Sequence, residues 1–198
     1  MITARNRVRA GVLLCGALLL ASRASAQTLP RVLIQTALGS MEVELDTIRA
    51  PITAGNFLRY ADQGAYRGGR FHRTVRRDNQ RGGRLKTQFI QGESARTHSN
   101  GLDPIPLERT KDTGLSHQHG TISMVRDAPN TATSGFIICI GRQPELDFGG
   151  TWKRDGQGLA AFGRVVRGMD VVRLIQTARA QEQRLTPPIQ IMNITRVR

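Results

Sequence analysis

Short runs that alternate apolar and polar residues recur along this chain, and only two stretches carry a helical period. That pattern restricts the fold to a barrel or sandwich of many strands with two helices. The runs Arg31-Val32-Leu33-Ile34-Gln35-Thr36 and Met41-Glu42-Val43-Glu44-Leu45 are joined by residues 37–40 and predict a hairpin, the second alternating as a half-buried strand does. Further strands are expected at 70–75, 89–92, 120–125, 136–140 and 159–166, with a long alternating strand over 189–197 closing the chain. Residues 136–140 are continuously apolar, as in a strand buried on both faces. Pro51 opens a helix with Ile52, Phe57, Leu58 and Ala61 facing inward and Gly64 near its end. Residues 168–176 predict a second, with Met169, Val172 and Ile175 toward the core. Residues 94–119 and 141–158 read as loops. Residues 76–87 have no apolar period and two adjacent glycines, so a surface loop or extended hairpin is expected there.

The first 26 residues stand apart. Arg5, Arg7 and Arg9 make a basic start, residues 11–21 an apolar core, and Ala24-Ser25-Ala26 a small-residue cleavage site, the pattern of a secretory signal peptide over 1–26. The apolar run falls short of the ~20 residues a membrane span needs. Cleavage after Ala26 would release residues 27–198 as one domain with no membrane span, in the periplasm or secreted. Cys139 is then the only cysteine, which excludes an intramolecular disulfide. Its neighbours Phe136, Ile137, Ile138 and Ile140 predict a buried, inert thiol.

Four of the 29 basic residues lie in that leader, leaving 25 against 15 acidic ones, so anionic surfaces are favoured electrostatically. The arginines are dispersed, however, and aromatic residues make up only 5% of the chain without interleaving among them. The stacking half of a nucleic-acid site is missing, and no specific nucleic-acid binding is expected. Gly156-Gln157-Gly158-Leu159-Ala160-Ala161 fits G-x-G-x-x-A but precedes a strand instead of joining strand to helix, which argues against dinucleotide binding. His117-Gln118-His119, with His98 upstream, could set two imidazoles on one strand face, yet no third ligand stands at a diagnostic spacing. A partly exposed loop is expected there, and no metal. Asn193-Ile194-Thr195 has the glycosylation pattern but falls in the closing strand.

Within the strand at 70–75, simple alternation puts Phe71, Arg73 and Val75 on one face and His72 and Thr74 on the other. A guanidinium among apolar side chains packs its stem on them and reaches outward with its charge.

Phe71-His72-Arg73, Phe89-Ile90-Gln91-Gly92, Gly120-Thr121-Ile122-Ser123-Met124, Pro129-Asn130-Thr131-Ala132-Thr133-Ser134 and Ala161-Phe162-Gly163-Arg164-Val165-Val166-Arg167-Gly168-Met169-Asp170 occur in the order found in cyclophilins. Over residues 32–197 the chain resembles these peptidyl-prolyl cis-trans isomerases. The resemblance implies a mainly β fold, a closed eight-stranded antiparallel barrel capped by two α-helices. It implies rotation about X-Pro bonds in proline-containing polypeptides, by a monomer with no cofactor. Arg73 matches the family's catalytic arginine. Gln91 matches the glutamine that holds substrate main chain, and Arg126 the position whose backbone binds the peptide. Phe89, Val125, Ile137, Leu146 and Leu159 take the positions of the apolar slot for the proline ring, and His72 stands beside the arginine in a structural part. Three residues depart from the family pattern: Ile137 replaces a phenylalanine at the pocket floor, Gly135 a glutamine and Leu159 a histidine. Slower or differently selective turnover is expected from these changes. A catalytically weak prolyl-peptide binding or chaperone module on the same fold is the alternative.

Overall fold

The computed structural model describes residues 28–80, 87–95 and 101–197. The signal-peptide reading of residues 1–26 and the middle of the 76–87 segment lie outside them. Among the described residues there are nine strands: β1 (Arg31–Thr36), β2 (Gly39–Leu45), β3 (Arg70–Val75), β4 (Phe89–Glu93), β5 (Thr121–Met124), β6 (Phe136–Cys139), β7 (Ala160–Arg167), β8 (Ala180–Gln181) and β9 (Arg184–Arg196). The antiparallel order β1-β2-β7-β5-β6-β4-β3-β9 returns from β9 to β1, closing eight strands into a barrel, and the two-residue β8 pairs with β9. Closure leaves those eight strands without a free edge.

Alternation along β1 and β2 buries Val32, Ile34, Met41, Val43 and Leu45 completely. Helix α1 (Pro51–Asp62) packs on β7 and β9 and delivers Phe57, whose ring lies 5.0 Å from Tyr66, 5.4 Å from Phe136 and 5.3 Å from Phe162. Phe136 in turn meets Phe71 edge-on at 5.6 Å. A Cβ added at Gly92 on β4 would come within 3.0–3.1 Å of the Phe71 and Phe136 rings, so the smallest residue lets this aromatic cluster close. Helix α3 (Met169–Thr177) buries Val171, Val172 and Ile175 against β2, β3 and β4, with Met169 partly buried at its start.

Several expectations need correction. Ile52 is 43% exposed instead of inward. It belongs to the first helical turn, whose backbone N–H groups at Ile52 and Thr53 donate to the Glu108 carboxylate at 3.1 and 2.7 Å, while Phe57, Leu58 and Ala61 supply the buried face. A third helix, α2 (Thr110–Thr113), occupies one turn of the segment read as loop. The closing strand begins at Arg184, five residues before the apolar alternation starts, because pairing to β8 and β3 selects it. In β3 the alternation breaks: its registers against both β4 and β9 shift between Phe71 and Arg73, a bulge centred on His72. Phe71 therefore turns into the main core, Thr74 is buried and donates through Oγ1 to the Gln176 carbonyl of α3 at 2.8 Å, and Arg73 and Val75 share the other side. Arg73 and Phe71 do not share a face.

Candidate active site

Beside the main core lies a smaller apolar cluster, Val75, Phe89, Ile137, Cys139, Leu146 and Leu159, with Val125 and Trp152 partly buried against it. It draws on β3, β4 and β6 and, from the connection between β6 and β7, on Leu146 and on Leu159 just before β7. Residues whose neighbours in sequence face the barrel interior turn the other way here, as period two requires. The Cys139 thiol is fully buried, and that burial pushes its pKa up, away from thiolate chemistry. At the rim of this cluster a notch of about 170 Å³ is lined by Arg73, Phe89, Gln91, Val125, Arg126, Asp127, Ile137, Trp152, Lys153 and Leu159. A second cavity of about 410 Å³ shares Gln91, Val125, Arg126 and Asp127 with it and continues to Gly135, Ser134 and Tyr60. The two cavities thus adjoin along one ridge.

The Arg73 guanidinium is held from several sides. Its Nε and Nη2 donate to Oε1 of Gln183 at 2.9 and 2.6 Å, and its Nη1 donates to Oε1 of Gln91 at 3.3 Å. Its Cζ lies 5.5 Å from the centre of the Phe89 ring and 5.8 Å from that of Trp152, within cation–π range of both. Three of the five guanidinium N–H groups are engaged in these bonds, which leaves two that can donate to a bound molecule. Burial lowers the Arg73 pKa from its usual value, yet an arginine remains charged at any working pH.

The positions singled out from sequence divide. Arg73, Phe89, Gln91, Val125, Arg126, Ile137 and Leu159 come together around the notch. Leu146 does not line it; fully buried, it packs behind the notch in the same apolar cluster. His72 lies across Arg73, in a separate cleft with Arg70, Glu93, Gln183 and Arg184. There its Nδ1 is buried without a hydrogen-bond partner, and burial first, then Arg70, Arg73 and Arg184, lower its pKa against the opposing pull of Glu93. Arg126 carries a side-chain function its backbone assignment did not include. Its Nε donates to the Gly158 carbonyl at 2.9 Å and its two Nη atoms to both oxygens of Asp155 at 2.7 and 2.8 Å, fastening the 147–158 loop. Gln183 and Trp152 were missed. Nothing local marks Gln183; Trp152, the chain's single tryptophan in a glycine-rich loop, offered a signal.

His117, expected in a partly exposed loop, is fully buried. Its Nδ1–H faces Oδ1 of Asp147 at 2.6 Å and its Nε2 accepts from the Ser123 hydroxyl at 2.8 Å, with the tautomer following from a carboxylate that can only accept. Ser123 is itself completely buried, so this Ser-His-Asp chain ties the loop at Asp147 to β5 and offers no nucleophile to solvent. His119 is exposed, and its Nδ1 accepts from the Gly141 N–H at 3.0 Å. Among the described residues no three histidine, cysteine or acidic side chains gather as metal ligands, and no helix is long and apolar enough to cross a membrane.

The family model described as cyclophilin type peptidyl-prolyl cis-trans isomerase/CLD matches residues 31–196. The chain belongs to the cyclophilin family. A peptidyl-prolyl cis-trans isomerase of Acinetobacter baylyi is 34% identical over 158 residues, 79% of this chain and 76% of that protein. Peptidyl-prolyl cis-trans isomerase A of Dickeya dadantii is 36% identical over 148 residues, 74% and 71% of the two chains. Among solved structures, a Cryptosporidium parvum cyclophilin superposes with a TM-score of 0.69 at 20% identity, covering 86% of this chain and 98% of its own. A second structure of that protein, determined in the presence of the dipeptide Ala-Pro, gives 0.68 at 21% identity over 85% of this chain and 99% of its own. The closed eight-stranded barrel is the cyclophilin barrel, with three α-helices among the described residues where two were expected, and the enzyme is a cyclophilin-type peptidyl-prolyl cis-trans isomerase.

Proposed function

We propose that Arg73 accelerates X-Pro rotation by donating a hydrogen bond to the prolyl nitrogen as the amide twists, while the notch holds the proline ring. The barrier of about 18–20 kcal/mol comes from the partial double-bond character of the planar amide. Twisting destroys that resonance and returns a lone pair to nitrogen, so a donor aimed there binds the transition state more strongly than the ground state. No bond breaks, and neither nucleophile nor metal is called for. The observation that carries this reading is the tethering of Arg73 by Gln183 and Gln91 at a notch backed by the buried cluster of Phe89, Ile137 and Leu159, with two N–H groups uncommitted. Gln91 would bind the substrate's main chain, and the shared ridge at Arg126 would pair with the peptide backbone.

Clients on this reading are unfolded or partly folded polypeptides with X-Pro bonds. Residues 1–26 would direct export, and residues 27–198 would act as a monomer in the periplasm or outside the cell. An amino terminus at Gln27 on the exported protein would support that address; retention of the leader would oppose it.

Exchange spectroscopy on an Ala-Pro peptide tests the mechanism. Arg73→Ala should lower kcat/KM by about 100- to 1000-fold, the usual cost of one transition-state donor. Equal exchange rates for variant and unaltered protein would remove Arg73 from the mechanism. Peptide binding without exchange by the unaltered protein would favour the prolyl-peptide binding module, to which the smaller side chains at Gly135 and Ile137 lend weight.

A further inference from the structure

We infer that Trp152 is the wall against which the substrate's pyrrolidine ring seats, so that the indole sets how tightly the notch holds an X-Pro peptide; this rests on the isomerase reading above. The indole is partly exposed, lines the notch and packs on the apolar cluster beneath it. It meets Phe89 edge-to-face at 5.4 Å and 86°, forming an aromatic corner beside Arg73, whereas Ile137 and Leu159 give the notch aliphatic surface only. The C–H bonds of a pyrrolidine ring, polarised by the adjacent nitrogen, suit the negative face of an aromatic ring, which is why proline-rich peptides dock in aromatic-lined grooves.

The loop bearing this indole is built to hold it in place. The Trp152 backbone N–H donates to the Glu145 carbonyl at 3.0 Å, the Phe148 backbone N–H to Oγ1 of Thr110 at 2.8 Å, and the Gly149 N–H to the Gly156 carbonyl at 2.7 Å. Arg126 fixes the far end through Asp155 and Gly158, and His117 fixes the near end through Asp147. An aromatic wall held from both ends in this way loses little conformational entropy when a peptide arrives. A residue serving only as core would gain nothing from lying open on a cavity next to an arginine.

Because Trp152 is the chain's single tryptophan, its own emission reports on the notch. Titration of the unaltered protein with an Ala-Pro peptide should shift or quench that emission saturably, while an Ala-Ala peptide of the same length leaves it unchanged. In exchange measurements Trp152→Leu should raise KM by about tenfold with kcat held within about twofold, and Trp152→Phe should recover most of the loss. Emission that stays constant while catalysis saturates would overturn the proposal. So would a fall in kcat at unchanged KM, since the indole would then merely support Arg73. A protein that catalyses no exchange would count against the isomerase reading, and the emission titration would still decide for or against the indole wall.

Discussion

Gln183 and Arg73 are 110 residues apart in sequence, yet one carboxamide oxygen of Gln183 accepts both Nε–H and Nη2–H of the Arg73 guanidinium, at 2.9 and 2.6 Å. The Gln183 amide nitrogen donates onward to the Asn79 carbonyl at 3.3 Å, so the pair is anchored to the segment that follows β3. Gln183 acts here as a positioning residue. Its replacement by alanine should lower kcat by about 10- to 100-fold, the scale on which misplaced catalytic groups act, with KM little changed. A rise in KM at constant kcat, measured by exchange spectroscopy, would show that Gln183 contacts substrate instead.

The latch on the 147–158 loop is open to a pH test. Arg126, first, and the Gln157 N–H hold the Asp155 pKa down at about 2, against an ordinary 3.8. A lowered carboxyl pKa stabilises the fold fully above the ordinary value and loses that benefit as pH falls through the folded one. Asp155→Asn should therefore lower Tm by roughly 3 °C at neutral pH, with the gap narrowing as pH falls from 3.8 toward 2. Thermal unfolding of both proteins across that range measures it, and a gap independent of pH would refute the latch.

His72 should lose stability in the same direction, but because the folded protein resists a positive charge there. Its folded pKa lies below the ordinary 6.5, chiefly through burial. As pH falls through 6.5 the unfolded chain takes up a proton that the folded protein resists, so stability is full above that value and declines below it. His72→Gln should flatten the fall of Tm as pH drops below 6.5. Parallel curves for the two proteins would show that this imidazole is not the group responsible.

Gly135 leaves room in the larger cavity. A Cβ there would meet only Val125 Cβ, at 3.6 Å, an ordinary contact. Gly135→Gln should be accommodated with a stability change within about 0.5 kcal/mol. One added hydrogen bond to substrate should raise kcat/KM by about fivefold. Lower activity from a variant of unchanged Tm would mean that the open space itself admits the peptide.

Much of this molecule was written locally. Val32, Ile34, Met41, Val43 and Leu45 follow period two and are all buried, and the α3 face Val172 and Ile175 follows the helical period, because burying one side of a regular element needs only that element's own pattern. The motifs carrying Arg73 and Gln91 likewise sufficed to bring attention to two groups that prove to be hydrogen-bonded. What local pattern could not supply was the bulge at His72, which two partner strands impose from outside and which sends Phe71 inward away from Arg73. Nor could it supply Gln183, or the place of Trp152 that its composition only hinted at: barrel closure delivers the first, and a buried arginine folding a glycine-rich loop back on itself delivers the second. Alternation is a property of neighbours along the chain, whereas the register between strands and the anchoring of loops depend on which distant groups find partners, and those are decided only when the whole barrel closes.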